Sequence, residues 1–550
     1  VTVTKNKVGA ADTDTLTAGS IESVELIGDF GDNTLDASAF TTGKVNLYGI
    51  SGRNTLLGGA GDDIISGGAQ NDLLSGGAGI DTITGYAGTD TLRESADVSF
   101  TLTNTALSSS TDGFTTSEDD ILSGIEYAEL TGGASDNVIN ASAFSGISST
   151  ISLRDFTLGE GLDLTSGAEF RVTLSDASSV DIDLSGTYTI DDVLDAITAS
   201  HENLTASFDL DTSGIVIADT TAGGSNLAVT ALNSSTAINQ LGLTSVGNPT
   251  EFRGTALSFA LGGVTLRGGV GVDTLIGSRN NDILSGGEGN DLLFGGAGSD
   301  MVAELRDADM VLVNNTLTIT SGATTDTDTL NSIETATLTG GTSANSIDSS
   351  GFSLGAVTLS TGGGTDTLTA GNDFSDKFVV DVSNLTQGAD QVTIDTSGDL
   401  TDVVVIDKTH ASGDVSQADL EWVSFVGTAS AAYQITGLRD INLTSDLNFG
   451  GQSITLNAHS ENGYNDGFKI NTNGFDIITS SAGNAGNITL LADHINIGAG
   501  TEINALGGAS FTSGDVTIKA FNEKAIFTGG FISYDEIDVE ITIADSVTIS

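Results

Sequence analysis

The sequence of 550 residues predicts a mostly β protein, an elongated parallel β-solenoid carrying one inserted α+β module. Three observations lead there. A nine-residue phrase runs five times without a break from Gly49 to Arg93 and four times from Gly268 to Ala303. A short period held in strict phase marks a stacked architecture in which each repeat touches its neighbours. Gly occurs 72 times and Pro once, a bias towards tight turns between short strands and away from a proline-rich linker. A longer phrase also recurs, as SIESVELIG from Ser20, GIEYAELTG from Gly124 and SIETATLTG from Ser332. Each copy leads into DNTLDASAF, DNVINASAF or ANSIDSSGF, ending at Phe40, Phe144 and Phe352. These three phenylalanines read as core plugs between coils.

Charge narrows the range of functions. Lys and Arg number 17 against 74 Asp and Glu, a net charge of −57. Such a chain repels nucleic acid and anionic membranes, and its self-repulsion calls for bound cations. The absence of Cys removes disulfide scaffolds, thiol catalysis and zinc ribbons. No apolar run approaches the ~18–20 residues of a membrane span. Val1 is neither an initiator Met nor the start of a signal peptide, so a processed form or an internal piece is expected. The chain opens on VTVTK and closes on VTIS, both read as strands with no cap. Their unpaired edges are expected to join chains head to tail.

Along the chain, residues 1–48 begin the solenoid and 49–93 form the first array. Residues 94–156 read as linker coils. Between Phe144 and Leu266 lie 122 positions, where the sister units need 7 from Phe40 to Leu47 and from Phe352 to Leu359, so 115 residues are inserted. The insert, placed at 157–250, alternates with period two and then carries Ile190, Val193, Leu194 and Ile197 at helical spacing, with Thr189 as N-cap. Residues 251–303 hold the second array, 304–440 a solenoid with a degenerate repeat around Asp366, and 441–550 a further β-helix.

Each nonapeptide has a chemical logic. Glycines at positions 1, 2 and 4 allow tight turns and inward carbonyls, while the apolar eighth residue (Leu56, Ile65, Leu74, Ile83, Leu92) fills a narrow core. Two nonapeptides make one coil, so position-six carboxylates two repeats apart stack at about the 4.8 Å strand spacing. At ~5 Å two such charges repel by roughly 0.8 kcal/mol in water and about 3 kcal/mol at an effective dielectric of 20. A hard cation with oxygen ligands removes that cost, and Ca²⁺ tolerates the irregular geometry better than Mg²⁺. The expected sites pair Asp63 with Asp81, Asp72 with Asp90, Asp273 with Asp291 and Asp282 with Asp300. Asn54, uncharged, is the weak member. Ser278 and Asn280 also replace turn glycines, and Gln70 and Tyr86 are expected to loosen their turns.

The phased GGxGxDxUx arrays resemble the calcium-binding RTX repeats of large bacterial exoproteins. The stretch from IDLSGTYTIDDVLDAITAS to AINQLGL resembles the flagellin hook IN motif. GNITLLADHINIGAGTEINALGG and SGDVTIKA resemble the right-handed β-helix of filamentous-haemagglutinin-type proteins. These resemblances imply a bacterial protein exported by a type I route to the cell surface or medium, where calcium is abundant. They imply a structural, self-assembling role in a surface layer, filament or matrix, with a cell-surface or glycan partner also in view. The alternatives are the stalk of a giant adhesin, or the non-catalytic part of a secreted hydrolase or toxin.

An enzyme is not expected. His201, His410, His459 and His494 are scattered without HExxH spacing, and no GxSxG elbow or P-loop is present. Asp119–Asp120 and Asp191–Asp192 read as helix starts or solvated turns rather than a carboxylate dyad.

Overall fold

The computed structural model describes residues 22–381 almost throughout, leaving out 112–117, most of 147–166 and of 245–249, 210–213, 222, 234, 255–262 and 372–373; outside that span it describes chiefly strands. Two compact units result, Val1–Asp300 and Met301–Ser550.

In the first unit the nonapeptides alternate between two parallel ladders. One contains Thr55–Leu57, Leu73–Ser75 and Thr91–Ser95; the other contains Lys44–Tyr48, Ile64–Ala69 and Thr82–Ala87. Leu56 pairs with Leu74 and Leu74 with Leu92, while Leu47 pairs with Ile65 and Ile65 with Ile83. The step is 18 residues, two repeats per coil. Every one of these Leu and Ile side chains is fully buried, worth roughly 1.5–3 kcal/mol each in apolar area removed from water. Phe40, Phe144 and Phe352 are buried too, each closing a turn on the carbonyl three residues back (Ala37, Ala141 and Ser349) at 2.7–2.9 Å.

After the first array the chain leaves the coil. Ser99–Thr103, Ala106–Ser110 and Glu118–Ser123 form an antiparallel meander whose last strand lies parallel to Thr82–Ala87 and whose first lies parallel to Val138–Ala143. Asp119 and Asp120 sit on that last strand, not at a helix start, and Asp120 is buried.

The insert departs from the solenoid and returns to it in register. Leu26 pairs with Leu47 and Leu338 with Leu359, 21 positions on in both, whereas Leu130 pairs with Leu266, 136 positions on. The difference is the 115 residues read from the sequence. Within them Phe170–Thr173 is the centre of one three-stranded antiparallel sheet and Gly214–Asp219 of another. The helix Ile190–Ser200 is held by a capping box, Thr189 accepting from Asp192 N and Asp192 accepting from Thr189 N. Its Ile190, Val193, Leu194 and Ile197 join Phe170, Val172, Ile215 and Phe252 in a core made wholly of insert residues.

The second unit repeats the plan. Met301–Leu305, Thr335–Thr339, Val357–Ser360, Lys377–Asp381 and Val403–Asp407 run parallel in one ladder. Asp309–Val313, Thr316–Ser321 and Thr324–Asn331 form a second antiparallel meander. From Ile441 successive short strands fall into three ladders, as Ile441–Leu443, Leu447–Asn448 and Ile454–Asn457 illustrate. The strand expected from VTVTK, Thr2–Lys7, pairs along one edge with Ala10–Thr15 in a two-stranded antiparallel sheet.

Candidate metal centre

The turns between ladders place the position-six side chains. All eight expected ligands, Asp63, Asp72, Asp81, Asp90, Asp273, Asp282, Asp291 and Asp300, are 3% exposed or less. The expected partners are adjacent rungs. Asp81 Oδ1 accepts the backbone N–H of Asp63 at 2.7 Å, Asp90 Oδ1 that of Asp72 at 2.8 Å, Asp291 Oδ1 that of Asp273 at 2.8 Å and Asp300 Oδ1 that of Asp282 at 2.9 Å. One carboxylate oxygen of every rung is thus used within the chain, a compensation that spacing alone does not reveal.

The second oxygen divides the turns into two kinds. Asp63 Oδ2 accepts Gly59 N–H at 2.7 Å and Asp282 Oδ2 accepts Ser278 N–H at 2.5 Å, and neither Gly59 nor Ser278 has a positive φ. The turn before Asp81 differs, with Gly77 at φ 95° and Gly79 at φ 124°, and the Gly76 and Gly77 amides donate to Glu94 Oε1 at 2.6 and 3.3 Å instead. There, and in the turns of Asp72, Asp90 and Asp273, Oδ2 is buried without a hydrogen-bond donor. A Cβ on Gly76 would collide with Asp81 Oδ2, which is why position 1 is glycine. Gln70 and Tyr86 do not loosen their turns; they adopt the same left-handed geometry, at φ 75° and 73°, at a cost of about 1–2 kcal/mol each.

Burial without a donor disfavours the charged carboxylate. It pushes Asp72 up to about 6, Asp81 to about 7 and Asp273 to about 6. Burial, with the Glu126 carboxylate adding to it, takes Asp90 to about 8. Asp282 rises to about 6 and Asp63 rises less, both chiefly through burial opposed by backbone donors.

The columns continue past the repeats, which the nonapeptide pattern does not reveal. Asp120 Oδ1 accepts Asp81 N–H at 2.8 Å and Glu126 Oε2 accepts Asp90 N–H at 2.9 Å. Glu94 Oε1 accepts Gly76 N–H at 2.6 Å, and burial pushes its carboxyl to about 8. The only available hint was the recurrence of Glu22, Glu126 and Glu334 in the longer phrase.

Among the described residues no three acidic or His side chains gather into one shell. A cation held here therefore draws on turn carbonyls as well as carboxylates, the mixed oxygen set that suits Ca²⁺. The donorless oxygens of Asp72, Asp81, Asp90 and Asp273 fit such an ion, which would supply the positive charge their surroundings lack. Among the described residues no helix is long and apolar enough to cross a membrane.

A comparison with curated proteins finds no match for the chain. The family model of the RTX calcium-binding nonapeptide repeat (4 copies) matches residues 48–83, 70–93 and 267–302, the two arrays whose turns are described above. Such repeats are typical of secreted proteins. The two arrays are therefore RTX nonapeptide repeats, a motif that binds calcium.

Proposed function

We propose that this chain is a secreted structural protein of the bacterial surface that self-assembles, in calcium, into a layer, filament or matrix. The observation that supports this reading most is the buried donorless carboxylate, recurring turn after turn along a chain of net charge −57. Without cations the columns oppose folding; with them each coil is locked to the next and repulsion between chains falls. We assign Asp72, Asp81, Asp90 and Asp273 as calcium ligands on that observation, and Asp291 and Asp300 on their matching rungs. Asp63 and Asp282 complete the set by exchanging a backbone donor for the ion. The role is architectural rather than catalytic. Export by a type I route, the flagellin hook IN resemblance of the insert and the haemagglutinin-like resemblance after Ile441 belong to the same reading of a surface-displayed scaffold.

Electron microscopy and light scattering of the purified protein test it. Filaments or sheets in calcium on the order of 10⁻³ M that disperse with chelator are expected. A stable monomer across that range sinks the self-assembling role and favours an adhesin stalk, or a stalk carrying a toxin or hydrolase.

A further inference from the structure

Asn54 holds position six of the first nonapeptide, where the four repeats that follow have Asp. Its side chain is buried, and its partners tell the two ends of the amide apart. Oδ1 accepts from Asn33, from the backbone N–H at 3.0 Å and from Nδ2 at 3.2 Å. Nδ2 faces only oxygens: Gly52 O and Asp72 Oδ1 at 3.0 Å, Gly67 O at 3.4 Å and Ser51 O at 3.5 Å. An amide nitrogen carries two hydrogens, enough for the two oxygens at 3.0 Å, and it stands where four oxygens converge as part of a cation's shell would.

The same place one coil on holds a different atom. A Cβ on Gly49 would touch Gly67 O and Asn54 Nδ2, and a Cβ on Gly67 would touch Gly85 O and Asp72 Oδ2. Asn54 Nδ2 and Asp72 Oδ2 are therefore equivalent positions beside equivalent carbonyls. Asp72 Oδ2 is buried and without a donor, so there oxygen stands against oxygen. At Asn54 an N–H stands against oxygen, and the turn is satisfied without an ion.

We propose that Asn54 is a built-in plug of the calcium column: its carboxamide takes the place of an ion, so the column ends at Asp72 and the coil that contains Gly49–Leu57 closes without calcium. This rests on the reading of Asp72 and Asp90 as calcium ligands. Two other columns also open on an Asn rung, whereas Asp63, Asp282 and Asp376 accept from the backbone of Val45, Val264 and Val357. Asn137 N–H donates to Asp273 Oδ1 at 2.7 Å and Asn345 N–H to Asp366 Oδ1 at 2.8 Å. Asn33, Asn137 and Asn345 stand at one position of the recurring phrase, so in these three columns a carboxamide precedes the first carboxylate. A neutral first rung gives each array a surface on which calcium-dependent coils can build.

The test is equilibrium dialysis of the full chain against calcium, with wild type, Asn54→Asp and Asn54→Ala compared, and thermal unfolding of each at one limiting calcium concentration. Asn54→Asp is expected to bind one more Ca²⁺ per chain than wild type and to need more calcium to fold. Asn54→Ala is expected to keep the wild-type count but melt lower at that calcium concentration, since it loses the plug and adds no charge. An unchanged count for Asn54→Asp overturns the inference, as does its failure to fold even in saturating calcium, because every later turn already carries Asp. If wild type itself binds no calcium, the ligand reading of the arrays falls first and takes the plug with it. A calcium-binding wild type with no increment in Asn54→Asp removes the plug alone.

Discussion

Asn137 donates its backbone N–H to Asp273 Oδ1 at 2.7 Å across 136 positions of sequence. This hydrogen bond spans the whole insert, so the coil on either side is continuous. The junction is visible in the sequence: joining Ser145 to Leu261 would read FSLGGVTL, against FSLGAVTL from Phe352 to Leu359 in the sister unit. Excising residues 146–260 is expected to leave the calcium midpoint of the second array within about twofold of wild type, because the insert core uses none of its side chains. Circular dichroism during calcium titration of the deletion variant checks this. Loss of the calcium-induced signal would make the insert a brace.

The packing at position 1 is equally specific. Gly76→Ala would drive its Cβ into Asp81 Oδ2. Overpacking of this kind costs about 1–3 kcal/mol, so the thermal midpoint in calcium should drop and more calcium should be needed for folding. An unchanged melt would show that the Asp81 carboxylate can move aside freely.

Tyr86 offers the opposite change. Its φ of 73° is a strained value for a residue with a Cβ, and Tyr86→Gly relieves it. After the entropy of the more flexible glycine is offset, a gain of about 1 kcal/mol is expected in calcium-loaded melts. A loss of similar size would mean that the exposed tyrosine ring contributes more than the strain removes.

Stability in chelator should fall as pH rises. Asp72, Asp81, Asp90 and Glu94 have folded-state values of about 6, 7, 8 and 8, above the ~4 of unfolded carboxylates. The folded state therefore binds more protons than the unfolded state between those limits, and folding weakens with pH through that window. Denaturant melts in chelator from pH 4.5 to 8.5 should show the midpoint decreasing, and saturating calcium should remove most of the trend. A midpoint that rises with pH would place charged, well-solvated carboxylates in these turns.

Much of this architecture was legible in the sequence because the repeats are short and in phase. The burial of Leu56, Ile65, Leu74, Ile83 and Leu92, the adjacency of Asp63 to Asp81 and the length of the insert all follow from counting. Thr189 as N-cap and the spacing of Ile190, Val193, Leu194 and Ile197 announced the helix. The antiparallel meander from Ser99 to Ser123 did not show, since its alternating strands look like further coils until the partner of each strand is known. Nor did the two kinds of turn: Gly59 and Gly77 occupy the same position of repeats one coil apart, and only backbone geometry decides which one donates to its carboxylate. Asp120 and Glu126 lay outside the repeat pattern and became rungs only through their placement beside Asp81 and Asp90.

The central claim is that calcium completes these columns and thereby folds the arrays. Calcium titration of the full chain, with bound ion and far-ultraviolet circular dichroism followed together, tests it most directly. The account predicts a cooperative gain in β signal that tracks binding, with a midpoint on the order of 10⁻⁴ to 10⁻³ M, reversed by chelator. A β spectrum that stays unchanged after exhaustive chelation at pH 8 would contradict it.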